Sequence, residues 1–194
     1  RVLAGLFRLA ETLYGISIRE TPAATWHPGV RFFEICDAGG AMIGQFYLDS
    51  YARAGKQGGA WMDEAINRRR VGTRIQRPVA FLTCNLSPPV EGRPATFTHD
   101  EVKTLFHEFG HGLHHMLTRV NVPSVAGING VPWDAVELPS QFMENFAWRE
   151  EVLPLISGHV ETGASLPLEA LRKLQATRSF QAGMQSVRQL EFAL

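Results

Sequence analysis

The sequence lacks any apolar run of the roughly 18 residues that a membrane-spanning helix needs, so no membrane span is predicted. It also lacks an excess of either charge, because 19 basic residues balance 19 acidic ones. Nucleic acid or an anionic membrane would attract a basic excess or stripe, so neither partner is predicted. Cysteine is scarce, and both copies, Cys36 and Cys84, lie in apolar runs. Buried reduced thiols in a reducing compartment are therefore favoured over a disulfide framework.

An initiator methionine and a signal peptide are also missing, and a helical pattern is still in progress at Leu194. We therefore expect an internal piece of a longer protein. Of its 194 residues 45% are hydrophobic, which is enough for one domain with a real core.

One stretch has the pattern of a long amphipathic helix. Between Thr98 and Val120 the apolar residues recur at three- and four-residue spacing, which places them in a single stripe. Thr98 and Glu101 form a capping-box pair at its start. The opposite side carries residues that are unusual on a surface helix: Thr104, His107, His111, His114, His115 and Thr118.

The pentapeptide His107-Glu108-Phe109-Gly110-His111 within this stretch has the spacing of a helical metal site. Two imidazoles four residues apart lie one turn apart on one face and can bind the same tetrahedral ion. Glu108 is rotated about 100° from His107, so it flanks the ion and can take a proton from a bound water. The alternative is a pair of polar side chains that bind no ligand. The capped, periodic helix favours the metal site.

A catalytic zinc site needs a third protein ligand, and residues 133–145 offer one. Pro139 is tolerated only near a helix start, so a helix is predicted to begin between Val136 and Pro139, with Glu137 in its first turn. Glu144 shares the side of that helix on which Ser140 lies. An acidic face on this helix can thus meet the histidine face of the preceding one.

Strands are predicted before the metal helix. The apolar runs Val30–Cys36 and Ala41–Leu48 flank a turn signal and predict a hairpin. A further strand is predicted at Pro78–Leu86. Because such strands in zinc peptidases can pair with an extended peptide, we expect it to hold substrate; the alternative is an ordinary interior strand.

The loop after the metal helix contains Gly127 and Gly130. Two glycines so close to the expected active site predict a mobile wall that binds substrate. A plain turn is the alternative. At the start of the chain, residues 2–14 have helical spacing, and Gly15 supplies a stop.

The motif His-Glu-Phe-Gly-His-Gly-Leu-His, followed by Glu-Leu-Pro-Ser-Gln-Phe-Met-Glu-Asn, resembles the thimet oligopeptidase family of zinc metallopeptidases. The residues around both motifs are similar to its oligopeptidase A branch, and the similarity covers residues 2–194. It implies one zinc ion per chain, bound by His107, His111 and Glu137, with Glu108 as general base.

The resemblance also suggests supporting roles for three further residues. His114 belongs to the extended motif and is expected to be structural or to support a ligand residue without binding the metal. Asp134 and Glu144 are candidates for orienting the ligand imidazoles, since a metal-bound histidine usually donates its other N–H to a carboxylate or carbonyl. Surface carboxylates are the alternative for that pair. The family's N-terminal helical portion, and its downstream segment with a histidine and several tyrosines, are not expected in this piece.

We therefore predict an α+β, zincin-like fold, mainly helical with a small antiparallel sheet and a metal site between two helices. Residues 1–194 are predicted to form the core of a metallopeptidase catalytic domain. The resemblance implies zinc-dependent cleavage of short peptides by an endopeptidase in the cytoplasm. The alternatives are a metal-binding fragment without turnover and a carboxydipeptidase of the same family.

Overall fold

The computed structural model describes residues 1–194 and contains six helices and seven strands. The helices are α1 (Val2–Tyr14), α2 (His99–Met116), α3 (Leu138–Glu144), α4 (Leu153–Ile156), α5 (Leu168–Thr177) and α6 (Ala182–Ala193). The strands are β1 (Ser17–Glu20), β2 (Val30–Cys36), β3 (Met42–Tyr51), β4 (Trp61–Ile66), β5 (Arg69–Val71), β6 (Arg74–Gln76) and β7 (Val79–Leu86). Short 3₁₀ turns occupy Pro123–Val125 and Asn145–Trp148. The α+β prediction is confirmed at this level, whereas the zincin-like classification remains a prediction.

The main sheet is mixed, so the prediction of an antiparallel sheet is wrong. Its strand order is β1-β2-β3-β7-β4, and β3 pairs with β7 in parallel while the other pairs are antiparallel. The parallel pair arises because the chain leaves β3, forms β4 at the sheet edge, turns through the β5–β6 hairpin and returns as β7 between β3 and β4. Strands β1, β4, β5 and β6 were not predicted from the sequence, because they are short or strongly polar.

The interior position of β7 also overturns its predicted role in holding a peptide. Both of its edges are hydrogen-bonded, to β3 on one side and to β4 on the other. No backbone edge is left for a substrate. The alternative, an ordinary interior strand, is what the structure contains.

One face of the sheet carries the core, and two helices cover it. Phe7 of α1 contacts Phe33 of β2 at 5.0 Å between ring centroids and Phe109 of α2 at 5.7 Å. Phe46 of β3 contacts Phe109 at 5.7 Å as well. Such edge-to-face and tilted pairs stabilise by about 0.5–1.5 kcal/mol each beyond their buried area. The metal helix is therefore held against the sheet through its apolar side.

A cluster of charged side chains lies at the carboxyl end of β3. Asp49, whose side chain is 6% exposed, accepts two hydrogen bonds from Arg53 at 2.6 and 2.8 Å and one from Lys56 at 2.9 Å. The Lys56 ammonium also donates to the carbonyls of Tyr51 and Cys84, where the register between β3 and β7 shifts. Burial opposes ionisation of Asp49, but its bonds to Arg53 and Lys56 lower its pKa to about 2.

The predicted helices are present with adjusted ends. Helix α1 ends at Gly15 in the left-handed conformation, as expected. Helix α2 has the predicted capping box at Thr98 but ends at Met116 instead of Val120. Beyond it Val120 is 43% exposed, and the carbonyl of Asn121 accepts a hydrogen bond from the N–H of Arg70 on β5. No helix of the structure is both long and apolar enough to span a bilayer.

Candidate metal centre and active site

Helix α2 is fixed at its start by two contacts of one glutamate. The Glu101 backbone N–H donates to the Thr98 hydroxyl at 3.2 Å, and the Thr98 N–H donates to the Glu101 carboxylate at 2.8 Å. The second oxygen of that carboxylate accepts from the Ser87 N–H at 2.6 Å. Since Ser87 directly follows β7, Glu101 sets where the helix begins relative to the sheet.

Helix α3 approaches α2 most closely at Gly110. A Cβ atom at Gly110 would lie 2.6 Å from the carbonyl oxygen of Pro139 and 2.7 Å from the Cα of Ser140. Both contacts are to backbone, so only a glycine permits this separation. Glu137 caps the start of α3, as the position of Pro139 predicts. Because Gly110 lies between His107 and His111, this contact brings Glu137 over the two histidines.

Three ligand atoms converge at this crossing. The Oε2 atom of Glu137 lies 3.1 Å from Nε2 of His107 and 3.2 Å from Nε2 of His111. One potential ligand atom from each of the three residues lies within 4.8 Å of the other two. Tetrahedral zinc with bonds of about 2.0–2.1 Å sets its ligands about 3.3 Å apart, so the arrangement fits a zinc ion. The Ser140 hydroxyl donates to the same Glu137 oxygen at 2.7 Å and holds the carboxylate in place.

The protonation states also suit a cation. Burial lowers the pKa of His111, which keeps its imidazole neutral and able to bind a metal. Burial opposes the ionisation of Glu137. The hydrogen bond from Ser140 and the charges of His111 and His107 outweigh this effect and lower its pKa. At neutral pH the site therefore offers neutral imidazole and an ionised carboxylate.

Of the three residues predicted to support the ligands, one contacts a histidine of the candidate site. Glu144 accepts a hydrogen bond from Nδ1 of His107 at 2.6 Å. It follows Glu137 by seven residues, or about two turns, so it lies on the same side of α3. Asp134 is exposed in the turn before α3 and makes no hydrogen bond to either histidine. The half-buried His114 has an Nδ1 atom without a partner.

Glu108 lies beside the cluster and is buried. It is 6% exposed and has no hydrogen-bond partner in the chain. Burial raises its pKa to about 7, an effect that His107 opposes and Glu137 reinforces. A carboxylate with this pKa can both accept and release a proton near neutral pH.

Gly127 and Gly130 lie in close packing. Both have positive φ, 61° and 72°. A Cβ atom at Gly127 would lie 2.6 Å from Nδ1 of His115, and one at Gly130 would lie 2.8 Å from the carbonyl oxygen of Ser124. A role in binding substrate stays a prediction for both. The sequence pattern places His115 on the polar face without indicating a role, whereas its side chain is fully buried. Its four-residue spacing from His111 is the available signal.

A helix with this His-Glu-x-x-His pattern, completed by a carboxylate from the next helix, is the ligand arrangement of a metal-dependent hydrolase. The chain belongs to peptidase family M3, whose family model matches residues 1–194. It is 57% identical to oligopeptidase A of Salmonella typhimurium over all of this chain and 29% of that protein.

Two further relatives are less similar to this chain. The probable cytosolic oligopeptidase A of Arabidopsis thaliana is 46% identical over all of this chain and 28% of its own length. A dipeptidyl carboxypeptidase of Escherichia coli is 37% identical over 98% of this chain and 28% of its own length. The chain thus spans somewhat under a third of the curated relatives that it matches.

Proposed function

We propose that this chain contains the zinc site and general base of an enzyme that hydrolyses peptide bonds in short peptides. The observation that carries the proposal is the convergence of His107, His111 and Glu137 beside the buried carboxylate of Glu108. Membership of peptidase family M3 supports the same reaction class. Residues 1–194 are proposed to be the core of the catalytic domain, and a cytoplasmic location remains a prediction from the resemblance.

The three ligand residues would hold one zinc ion per chain. When bound, zinc supplies Lewis-acid chemistry: it polarises a carbonyl and makes water more acidic. Neighbouring side chains hold the ligand groups in position. Glu144 holds the His107 imidazole through Nδ1, which leaves Nε2 free to bind the metal. Ser140 fixes one carboxylate oxygen of Glu137.

Glu108 is proposed to move the proton. Its carboxylate is buried and free of hydrogen bonds, and its pKa near 7 suits both halves of a proton transfer. It accepts the proton of the attacking water at a carboxylate oxygen and then gives it to the amine of the departing peptide. Because Glu108 points away from the ligand atoms by about 100° around the helix, this role does not compete with metal binding.

The substrate is proposed to lie along β4, the edge strand of the sheet nearest α2. In the strand order β4 has one unpaired edge, and an extended peptide can add to such an edge through main-chain hydrogen bonds. This mode accepts many side chains, which suits an enzyme that acts on varied short peptides.

The test is cleavage of an internally quenched peptide by the zinc-loaded chain. We expect cleavage by the wild type and at least a hundredfold loss in Glu108→Gln, with zinc retained, because general acid–base catalysis contributes about 10²–10⁴ in rate. Zinc binding with no cleavage by the wild type would favour the rival function, a metal-binding piece without turnover. Release of dipeptides alone, from the carboxyl end, would favour a carboxydipeptidase.

A further inference from the structure

The segment 121–130, which we call the return segment, is bonded to the Glu64 side chain of β4 and to residues 67–70, which follow β4. The N–H of Arg70 donates to the carbonyl of Asn121 at 3.1 Å, as in a strand pair. Nε of Arg68 donates to the Asn121 side chain at 2.8 Å, and the Asn67 amide donates to the carbonyl of Pro123 at 2.6 Å.

Two further contacts fasten the return segment near the metal helix. The Asn129 amide donates to the carboxylate of Glu64 on β4. His115 lies beneath, fully buried, with its Nε2 atom 3.1 Å from the carbonyl oxygen of Ile66. Gly127 packs on the His115 ring so closely that a side chain there would overlap it. The imidazole thus fills the space between α2, β4 and the return segment.

The covered part of the edge begins close to the metal centre. Helix α2 runs in the same direction as β4. Its start is bonded to Ser87, which follows β7 and so lies near the start of the antiparallel β4, and His115 near its end contacts Ile66 at the end of β4. His111 precedes His115 by four residues, which is about 6 Å along the helix. At about 3.3 Å per strand residue, His111 is therefore level with Glu64. No other part of the chain is bonded along the outer edge of residues 61–63.

We propose that the return segment, positioned by His115, is a fixed stop for a peptide that pairs with β4. On one side of the metal centre, main-chain pairing ends within about two residues. This inference rests on the proposed function and names a length limit for its substrates. A peptide that adds to residues 61–63 meets Asn129, which is bonded to the Glu64 side chain. Beyond it, the carbonyl of Ile66 is already bonded to His115 and the N–H of Arg70 to Asn121. Additional peptide residues on that side leave the strand and contribute no main-chain hydrogen bonds.

The test uses two series of quenched alanine-based peptides, lengthened one residue at a time at either the amino or the carboxyl end. With the zinc-loaded wild type, we expect kcat/KM to rise about two- to tenfold per residue on the open side, as one net hydrogen bond allows. On the stopped side the rise ends after about two residues. Asn129→Ala and His115→Asn release the return segment, so kcat/KM for the series lengthened on the stopped side should rise a further two- to tenfold.

Hydrogen exchange of residues 121–130 checks that these variants release the segment, and it is independent of activity. The control is Arg19→Gln, which removes a contact with Glu34 at the opposite edge of the sheet and should leave both series unchanged. If His115→Asn fails to fold, Asn129→Ala alone carries the test. Equal length profiles in wild type and released variants, or a wild type without a plateau, would overturn the stop but not the proposed function. No cleavage of any peptide by the zinc-bound chain would overturn both.

Discussion

Replacing Gly110 with alanine should separate the two helices that form the proposed metal centre. The added Cβ would lie 2.6 Å from the carbonyl oxygen of Pro139, whereas ordinary contacts begin at 3.4 Å. The backbone of α3 must therefore retreat by about 0.8 Å, the difference between these two distances. Glu137 begins that helix, so its carboxylate moves away from the histidines. Metal–ligand distances tolerate only about 0.2 Å, and we expect zinc affinity to fall at least about tenfold.

Gly112→Ala is the matched control for this prediction. Its Cβ would approach the Cδ2 atom of Leu82 at 2.9 Å and the Cε atom of Met116 at 3.2 Å, which are ends of flexible side chains. Both substitutions gain about 1 kcal/mol of helix propensity, so that term cancels in the comparison. Gly112→Ala should retain wild-type zinc affinity, measured by competition with a chromophoric chelator. Equal affinities in the two variants, with both proteins folded by circular dichroism, would refute the helix-contact argument.

Three other predictions concern charge and burial. Asp49→Asn should lower the free energy of unfolding by about 2 kcal/mol at pH 7, because the folded pKa of about 2 lies below the unfolded value of 3.8. That stability is lost as the pH falls from 3.8 to 2, so urea melts of the two proteins should converge near pH 2; a constant difference would contradict the pKa assignment. Glu144→Gln should weaken zinc binding about 10–100-fold, whereas Asp134→Asn, with no contact to the ligands, should not; equal losses by isothermal titration would exclude a specific role for Glu144. Burial raises the pKa of Cys84 to about 12, so iodoacetamide should label it only in denaturant, and rapid native labelling seen by mass spectrometry would show that the strand opens.

The metal helix could be predicted from sequence because its signals are local. The capping box, the apolar period and the spacing of His107 and His111 all depend on residues within one or two turns. The start of α3 followed from Pro139 in the same way. Each of these features lies within a single element, so no knowledge of the strand order was needed.

Features that depend on contacts between distant parts of the chain were predicted only in part, since Glu144 was one of two candidates and the strand pairing was missed. The parallel pairing of β3 with β7 is set by where the chain returns, which no periodicity records. Glu144 contacts a ligand and Asp134 does not because one lies two turns into α3 and the other in the preceding turn. The role of Gly110 depends on how closely α3 approaches, and that distance exists only in the folded protein.

The central claim is that His107, His111 and Glu137 together hold one metal ion, and zinc stoichiometry tests it most directly. The purified chain would be saturated with zinc, dialysed against metal-free buffer and measured by plasma mass spectrometry with protein quantified in parallel. We expect one zinc ion per chain in the wild type and in Glu108→Gln, and essentially none in His107→Ala or Glu137→Ala. Zinc-free wild type, or full retention of zinc without Glu137, would contradict the assignment of the site.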